Sequence, residues 1–301
     1  MKNINVLGQD ILVNDILCST DINSKKRVNP ALRLYIKLNE ECNAKCKFCV
    51  NEKSCNFGNI DFSKLEYVIS YLYNNNLLHS IGITGGEPML YPEKVYKLIN
   101  MIYKISRNIE VQINTNGVNL LELLNFDDIN NLESIHISRH HYMDSKNYEI
   151  FGTNKIAKTE DIAYLQSMLK DKKIININTM VMKDYIENLK EIKNMLNYVG
   201  DIDVYKNGFV SLIKCNSYAK DHFINFNNIF NNLDSDFYLG HHFYKDIYCE
   251  CIDGMYMTNN SKLVEFYARM ITDKKTPYVN NLVYEPNNIL TANFNGKVLY
   301  K

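Results

Sequence analysis

The sequence predicts an α/β fold: parallel strands joined by right-handed helical crossovers into an open or closed barrel, followed by a partly β extension. Two observations predict it. Between residues 31 and 213, short apolar β-branched runs alternate about six times with stretches whose apolar residues recur at helical spacing. Past residue 215 that rhythm stops and two hairpin patterns replace it.

The first strand covers 31–38 (ALRLYIKL). Helical spacing follows at Leu65, Val68, Ile69 and Leu72, with Asp61 or Ser63 placed to cap free N–H groups. A second strand, 79–84, ends at Gly85-Gly86, and Pro92 opens a helix through Val95, Leu98, Ile99 and Ile102. Strand 110–115 breaks at Asn116-Gly117; a short helical stretch, 120–126, precedes a fourth strand, 134–138. Helix 159–169, strand 173–181 (KIININTMV), helix 186–198 and one strand or two short ones over 203–213 complete the alternation. The hairpins are 251–267, turning at Asn259-Asn260, and 281–300, turning near Asn295-Gly296. Residues 1–30, polar and without clear period, read as an N-terminal appendage, 31–215 as the barrel and 216–301 as the extension.

With 301 residues, 46% of them hydrophobic and 23% charged, the chain can bury a substantial core. Lys+Arg and Asp+Glu number 34 each, a balance that argues against broad nucleic-acid binding, which needs a basic excess. No window holds the roughly 18 uninterrupted apolar residues of a membrane span. The start, MKNINVLGQDILVND, lacks the apolar core of a secretory signal, so a cytoplasmic location is expected.

Eight cysteines in a chain expected to stay in a reducing compartment point to metal binding or catalysis rather than disulfides. Cys42, Cys46 and Cys49 stand as CxxxCxxC in the loop after the first strand, where barrels build active sites. Three thiolates can hold three irons of a four-iron cluster and leave the fourth open to another ligand. Recruiting Cys55 would instead complete a structural zinc site in a binding module, the alternative from another functional class. One strand–helix unit later comes Thr84-Gly85-Gly86-Glu87-Pro88, whose glycines allow close approach of backbone to a ligand.

The cysteine loop followed by GGEP resembles the radical S-adenosylmethionine (radical SAM) superfamily. The resemblance implies a partial (βα)6 barrel, a [4Fe-4S] cluster on Cys42, Cys46 and Cys49, and S-adenosylmethionine chelated to its open iron. One-electron reduction then yields a 5′-deoxyadenosyl radical that abstracts hydrogen from a substrate. It also implies Phe48 beside the adenine and Thr84, Gly85, Gly86 and Glu87 along the methionine moiety. More loosely, Asn114-Thr115-Asn116-Gly117, Ser138 and Asn178 are similar to cofactor-contacting positions in the branch containing the GTP-cyclising enzyme of molybdopterin synthesis and SPASM/twitch-type enzymes. The likeness covers roughly residues 32–213.

The chain departs from that branch at Arg139-His140-His141-Tyr142, a group able to bind an anionic substrate or relay protons, or else a solvated loop. Cys215, Cys249 and Cys251 are either ligands of an auxiliary iron–sulfur cluster or thiols without a role; His241-His242 lies nearby, and Cys18 has no assigned role. The expected partners are a small-molecule or nucleotide substrate, with ribosomal-peptide modification as the alternative, and an electron donor such as flavodoxin or ferredoxin. No membrane partner is expected.

Overall fold

The structure, a computed structural model, describes residues 2–13, 32–51, 58–170, 174–239, 254–258, 263–267, 279, 281–294 and 296–301. Cys18, Cys55, His241, His242, Cys249, Cys251 and the Asn259-Asn260 turn lie outside the described residues. The chain divides into two compact units: residues 1–42, 53–114 and 272–301, and residues 43–52 and 115–271.

The first unit opens with β1 (Lys2–Val6) and β2 (Gln9–Val13), an antiparallel hairpin. Its signal is short: Ile4, Val6, Ile11 and Val13 alternate into the core, and Leu7-Gly8, both at positive φ, supply the tight turn that twisted strands favour. Then come β3 (Leu32–Lys37), α1 (Phe62–Asn74), β4 (Leu78–Thr84), α2 (Pro92–Ile105) and β5 (Glu110–Thr115), with β3, β4 and β5 paired in parallel. Asp61 caps α1 as expected, its carboxylate accepting from the N–H groups of Ser63 and Lys64 at 2.9 and 3.2 Å. Leu32, Leu34 and Ile36 bury one face of β3, while Arg33, Tyr35 and Lys37 occupy the other.

The second unit runs through β6 (Ser134–Ser138), α3 (Asp144–Phe151), α4 (Thr159–Met168), β7 (Ile175–Val181), α5 (Leu189–Asp201) and β8 (Lys206–Ser211). It continues to β9 (Phe237–Leu239), β10 (Gly254–Thr258) and β11 (Leu263–Tyr267). Strands β6, β7, β8 and β11 are parallel neighbours in that order, and β10 and β9 add antiparallel beyond β11. Ile135, Ile137, Ile177 and Phe209 fill one face, while α5 buries Ile192, Met195 and Val199 and packs on β8. The opposite face carries His136, Ser138, Asn178 and Lys206.

In the first unit, β12 (Asn281–Tyr284), β13 (Leu290–Ala292) and β14 (Val298–Tyr300) form an antiparallel meander with two turns, where one hairpin was expected. The tail strands also extend the parallel sheets: β12 pairs with β3, and β11 with β8. An open edge on either receiving strand would leave backbone N–H and C=O groups bare.

Candidate active site

The first unit holds the approach to Cys42. Past β3, the Leu38 N–H donates to Thr84 O at 2.8 Å, Gly86 N–H to Asn39 O at 2.8 Å and Glu87 N–H to Glu41 O at 2.7 Å. Asn39 Nδ2 returns a bond to Glu87 O at 2.9 Å. Gly85 sits at φ +144°, and a Cβ there would lie 2.4 Å from Asn39 O; one on Gly86 would lie 2.0 Å from Glu41 O. The glycines are therefore required for the turn to lace onto residues 39–41 immediately before Cys42. Buried Glu87 caps the turn of helix at Pro88–Leu90, its Oε1 accepting from Met89 N–H at 2.9 Å. The Tyr91 hydroxyl donates to the Glu41 carboxylate, and that bond raises the Tyr91 pKa. Asn39 Oδ1 is buried with no hydrogen-bond partner among the described residues.

The second unit holds the rest of the loop. Asn116 Nδ2 donates to Asn43 Oδ1 at 2.9 Å, Asn43 Nδ2 bonds the Lys155 carbonyl, and Ala157 N–H donates to Asn116 O at 3.1 Å. Gly117, at φ +83°, lets this turn press on Ala157, which a Cβ would approach to 2.2 Å. Lys45 N–H donates to Phe151 O at the end of α3 at 2.7 Å. Phe48 is buried with Ile150, Met182, Leu212 and Ala219 and meets His140 edge-on at 5.4 Å. It anchors the loop by the same apolar burial that drives any core residue inward. Cys215 is brought to this loop: its Sγ lies 3.9 Å from Phe48 O, and neighbouring Asn216 donates to Lys47 O at 3.0 Å. Cys42, Cys49 and Cys215 are exposed and Cys46 is half-buried, none of them in a disulfide.

Arg139 is held by contacts within this unit. Its buried guanidinium meets Asp144 at 2.6 Å, Thr159 Oγ1 at 3.0 Å, Tyr142 O at 3.2 Å and Ala157 O at 3.4 Å, above the Tyr198 ring at 4.5 Å. These contacts occupy it as a strut between β6, α3 and the start of α4. Asp144→Asn should destabilise the fold by about 3 kcal/mol, because it leaves a buried cation uncompensated. Chemical denaturation of the two proteins checks this; an unchanged midpoint would remove the strut role.

The two histidines are held by Asn147, a fully buried residue that the sequence reading did not single out. Its Oδ1 accepts from the N–H groups of His140 and His141 at 2.8 and 3.1 Å, and its Nδ2 donates to the carbonyls of His141 and Met143. His140 stacks on Phe151 at 4.8 Å, and its Nδ1 accepts from Met180 N–H at 3.2 Å. His141 Nδ1 accepts from Met143 N–H at 3.0 Å, so the neutral ring carries its proton on Nε2. Burial lowers the His141 pKa. The unfolded chain then binds the proton more readily than the native one. Stability is full above the ordinary histidine pKa of about 6.5 and falls as pH drops through and below it. Urea midpoints measured from pH 7.5 to 5 should decline, and His141→Gln should flatten that decline.

Ser138 and Asn178 come together as register partners on β6 and β7. Asn178 Nδ2 lies 3.2 Å from His136 Nδ1, and His136 Nε2 lies 2.8 Å from Ser134 Oγ.

The donor set fits an iron–sulfur cluster. Among the described residues no three Cys, His, Asp or Glu side chains converge as one metal ion requires. The donor type still suits a four-iron cluster, in which each thiolate binds a separate iron. Asn39 Oδ1 adds a buried acceptor, still bare, beside the glycine turn. No helix among the described residues is long and apolar enough to cross a membrane.

Comparison with known proteins gives the family and the fold. The family model described as "Radical SAM superfamily" matches residues 36–199. A GTP 3′,8-cyclase of Clostridium perfringens (strain SM101 / Type A) is 29% identical over 179 residues, 57% of this chain and 53% of that protein. A probable GTP 3′,8-cyclase of Thermoplasma volcanium is 28% identical over 179 residues, 57% of this chain and 51% of that protein. The chain thus spans about half the length of the curated relatives it matches. Among solved structures, Streptococcus suis SuiB bound to S-adenosylmethionine aligns with a TM-score of 0.61 at 15% identity, covering 90% of this chain and 63% of that one, which shows a shared fold.

Proposed function

The chain belongs to the radical SAM superfamily, and on that premise we propose that it is an enzyme that cleaves S-adenosylmethionine and uses the resulting radical on a small-molecule or nucleotide substrate. The observation that carries this reading is the lacing of Thr84–Glu87 onto Asn39–Glu41, directly before Cys42. That lacing puts a glycine-lined backbone turn and the first cluster thiol under one set of hydrogen bonds.

Cys42, Cys46 and Cys49 would hold a [4Fe-4S] cluster. When bound, the cluster supplies the electron that splits the sulfonium of S-adenosylmethionine into methionine and a 5′-deoxyadenosyl radical. Asn39 Oδ1 and the backbone at Gly85 and Gly86 are suited to the amino end of the methionine moiety, because an ammonium needs acceptors. Thr84 and Glu87 fix that turn, the first by accepting from Leu38 and the second by capping. Ser138 and Asn178, side by side, offer a hydroxyl and an amide to a ribose. Asn116 and Phe48 steady the cysteine loop from below. His140 and His141, held by Asn147, position the loop after β6 in this reading, with Arg139 as its strut.

Two further assignments belong to the same proposal. Cys215, whose thiol stands at the Phe48 carbonyl, would join Cys249 and Cys251 on an auxiliary cluster. A flavodoxin or ferredoxin would deliver the electron, in the cytoplasm.

Anaerobic reconstitution tests the reading, with iron and sulfide counted per chain and 5′-deoxyadenosine assayed after dithionite and S-adenosylmethionine. About eight irons falling to about four in Cys249→Ala/Cys251→Ala supports two clusters; about four in both supports one. Bound zinc without cofactor cleavage would sink the enzyme reading in favour of a metal-stabilised binding module. Turnover of a peptide rather than a nucleotide would replace the substrate class.

A further inference from the structure

On the polar face of β8 and β11 lies a buried cluster that the proposed chemistry leaves unused. Lys206 Nζ lies 2.6 Å from Glu265 Oε2, and the Tyr267 hydroxyl donates to the same oxygen. Glu265 is 0% exposed, and its other oxygen, Oε1, has no hydrogen-bond partner among the described residues. Beside it, Asn178 turns its Nδ2 toward His136 and its Oδ1 toward Gly208. A Cβ on Gly208 would stand 2.9 Å from both Asn178 Oδ1 and the Tyr267 ring, so the glycine is what admits these two side chains.

We propose that Glu265 Oε1 is the acceptor for a neutral N–H edge of the substrate, and that the substrate is therefore a planar heterocycle of the nucleobase class. This rests on the small-molecule or nucleotide reading above and sharpens it. A buried carboxylate oxygen without a donor is unfavourable, whereas one that meets an incoming N–H forms a charge-assisted bond. Lys206 already balances the charge of Glu265, so a second cation would be surplus and a neutral donor fits best. The half-exposed Tyr267 ring gives a planar group an apolar surface to lie on.

Isothermal titration of the reconstituted full-length chain tests this, with GTP, ATP and UTP as probes and tripolyphosphate as the control lacking a base. Three proteins are compared: wild type, Glu265→Gln, and Lys206→Met/Glu265→Leu. The double variant removes both charges together, so it keeps the test decisive if the single one misfolds. At least one nucleotide should bind wild type about 10- to 100-fold more tightly than either variant, as loss of a hydrogen bond to a charged group implies. Tripolyphosphate should bind all three alike. Equal nucleotide binding by the three proteins, or wild-type binding no tighter than that of tripolyphosphate, would overturn the proposal. Measuring 5′-deoxyadenosine in the same samples separates the two claims. Cofactor cleavage without Glu265-dependent binding removes this inference alone, and Glu265-dependent binding without cleavage removes the functional reading alone.

Discussion

Replacing Cys42, Cys46 and Cys49 together with serine should reduce 5′-deoxyadenosine formation to background and remove about four irons per chain. Serine keeps the volume of each side chain but exchanges a soft thiolate for a hard, protonated hydroxyl that ligates iron poorly. Cys42 and Cys49 are exposed and Cys46 half-buried, so the three changes leave the core intact. Circular dichroism should therefore be close to that of the wild type stripped of its cluster. Retention of iron and cofactor cleavage in the triple variant would refute the ligand assignment. Phe48 and Ala44, both unchanged in the variant, continue to anchor the loop in the core, so the outcome separates chemistry from folding.

Gly86→Ala should be strongly damaging to the first unit. The added carbon would lie 2.0 Å from the Glu41 carbonyl oxygen, a backbone atom that cannot rotate away. To make room, the turn must give up the Gly86–Asn39 and Glu87–Glu41 hydrogen bonds. A cost of about 3 kcal/mol is expected, with Tm lower by roughly 6 °C and cofactor cleavage impaired besides. Gly200→Ala is the matched control: no atom lies within 4 Å of its Cβ, and it sits near the end of α5. There the same substitution should stabilise by about 0.5–1 kcal/mol through restriction of the unfolded chain. Calorimetry of both variants measures the contrast, and a Gly86→Ala protein as stable as wild type would show that the lacing is dispensable.

Much of this was legible in the sequence, for a physical reason. The six parallel strands and the helices α1, α2, α4 and α5 each announce themselves through their own apolar period, and a local period is readable without knowing the neighbours. Left unread were the short β1–β2 hairpin and helix α3, whose own apolar signals are weak. Helix α3, DSKNYEIF, has only Ile150 and Phe151 as buried apolar residues, and Asn147 is buried through its bonds to the His140–Met143 backbone rather than through hydrophobicity. The partners of Arg139, Asp144 and Thr159, are not evident in the sequence because they reach it only once α3 and α4 have folded back. Of the candidate site, the motif spacing located the cysteine loop and the glycine turn. That the turn's glycines serve the approach to Cys42 is a property of atomic contact that spacing does not contain.

The parallel pairing of β3 with β12 carries a consequence for the order in which the chain assembles. Register partners Arg33 and Asn281 are about 250 residues apart in the sequence, among the most distant pairings a protein of this size can make. Closing so long a segment is entropically slow, and during synthesis β3 stands without that neighbour until about 250 further residues have been made. The second unit, drawn mostly from one continuous stretch, has no such delay. Assembly should thus proceed in two stages, with the first unit completed late, and any chaperone that shields the nascent protein would find its longest-lived target at the β12 side of β3.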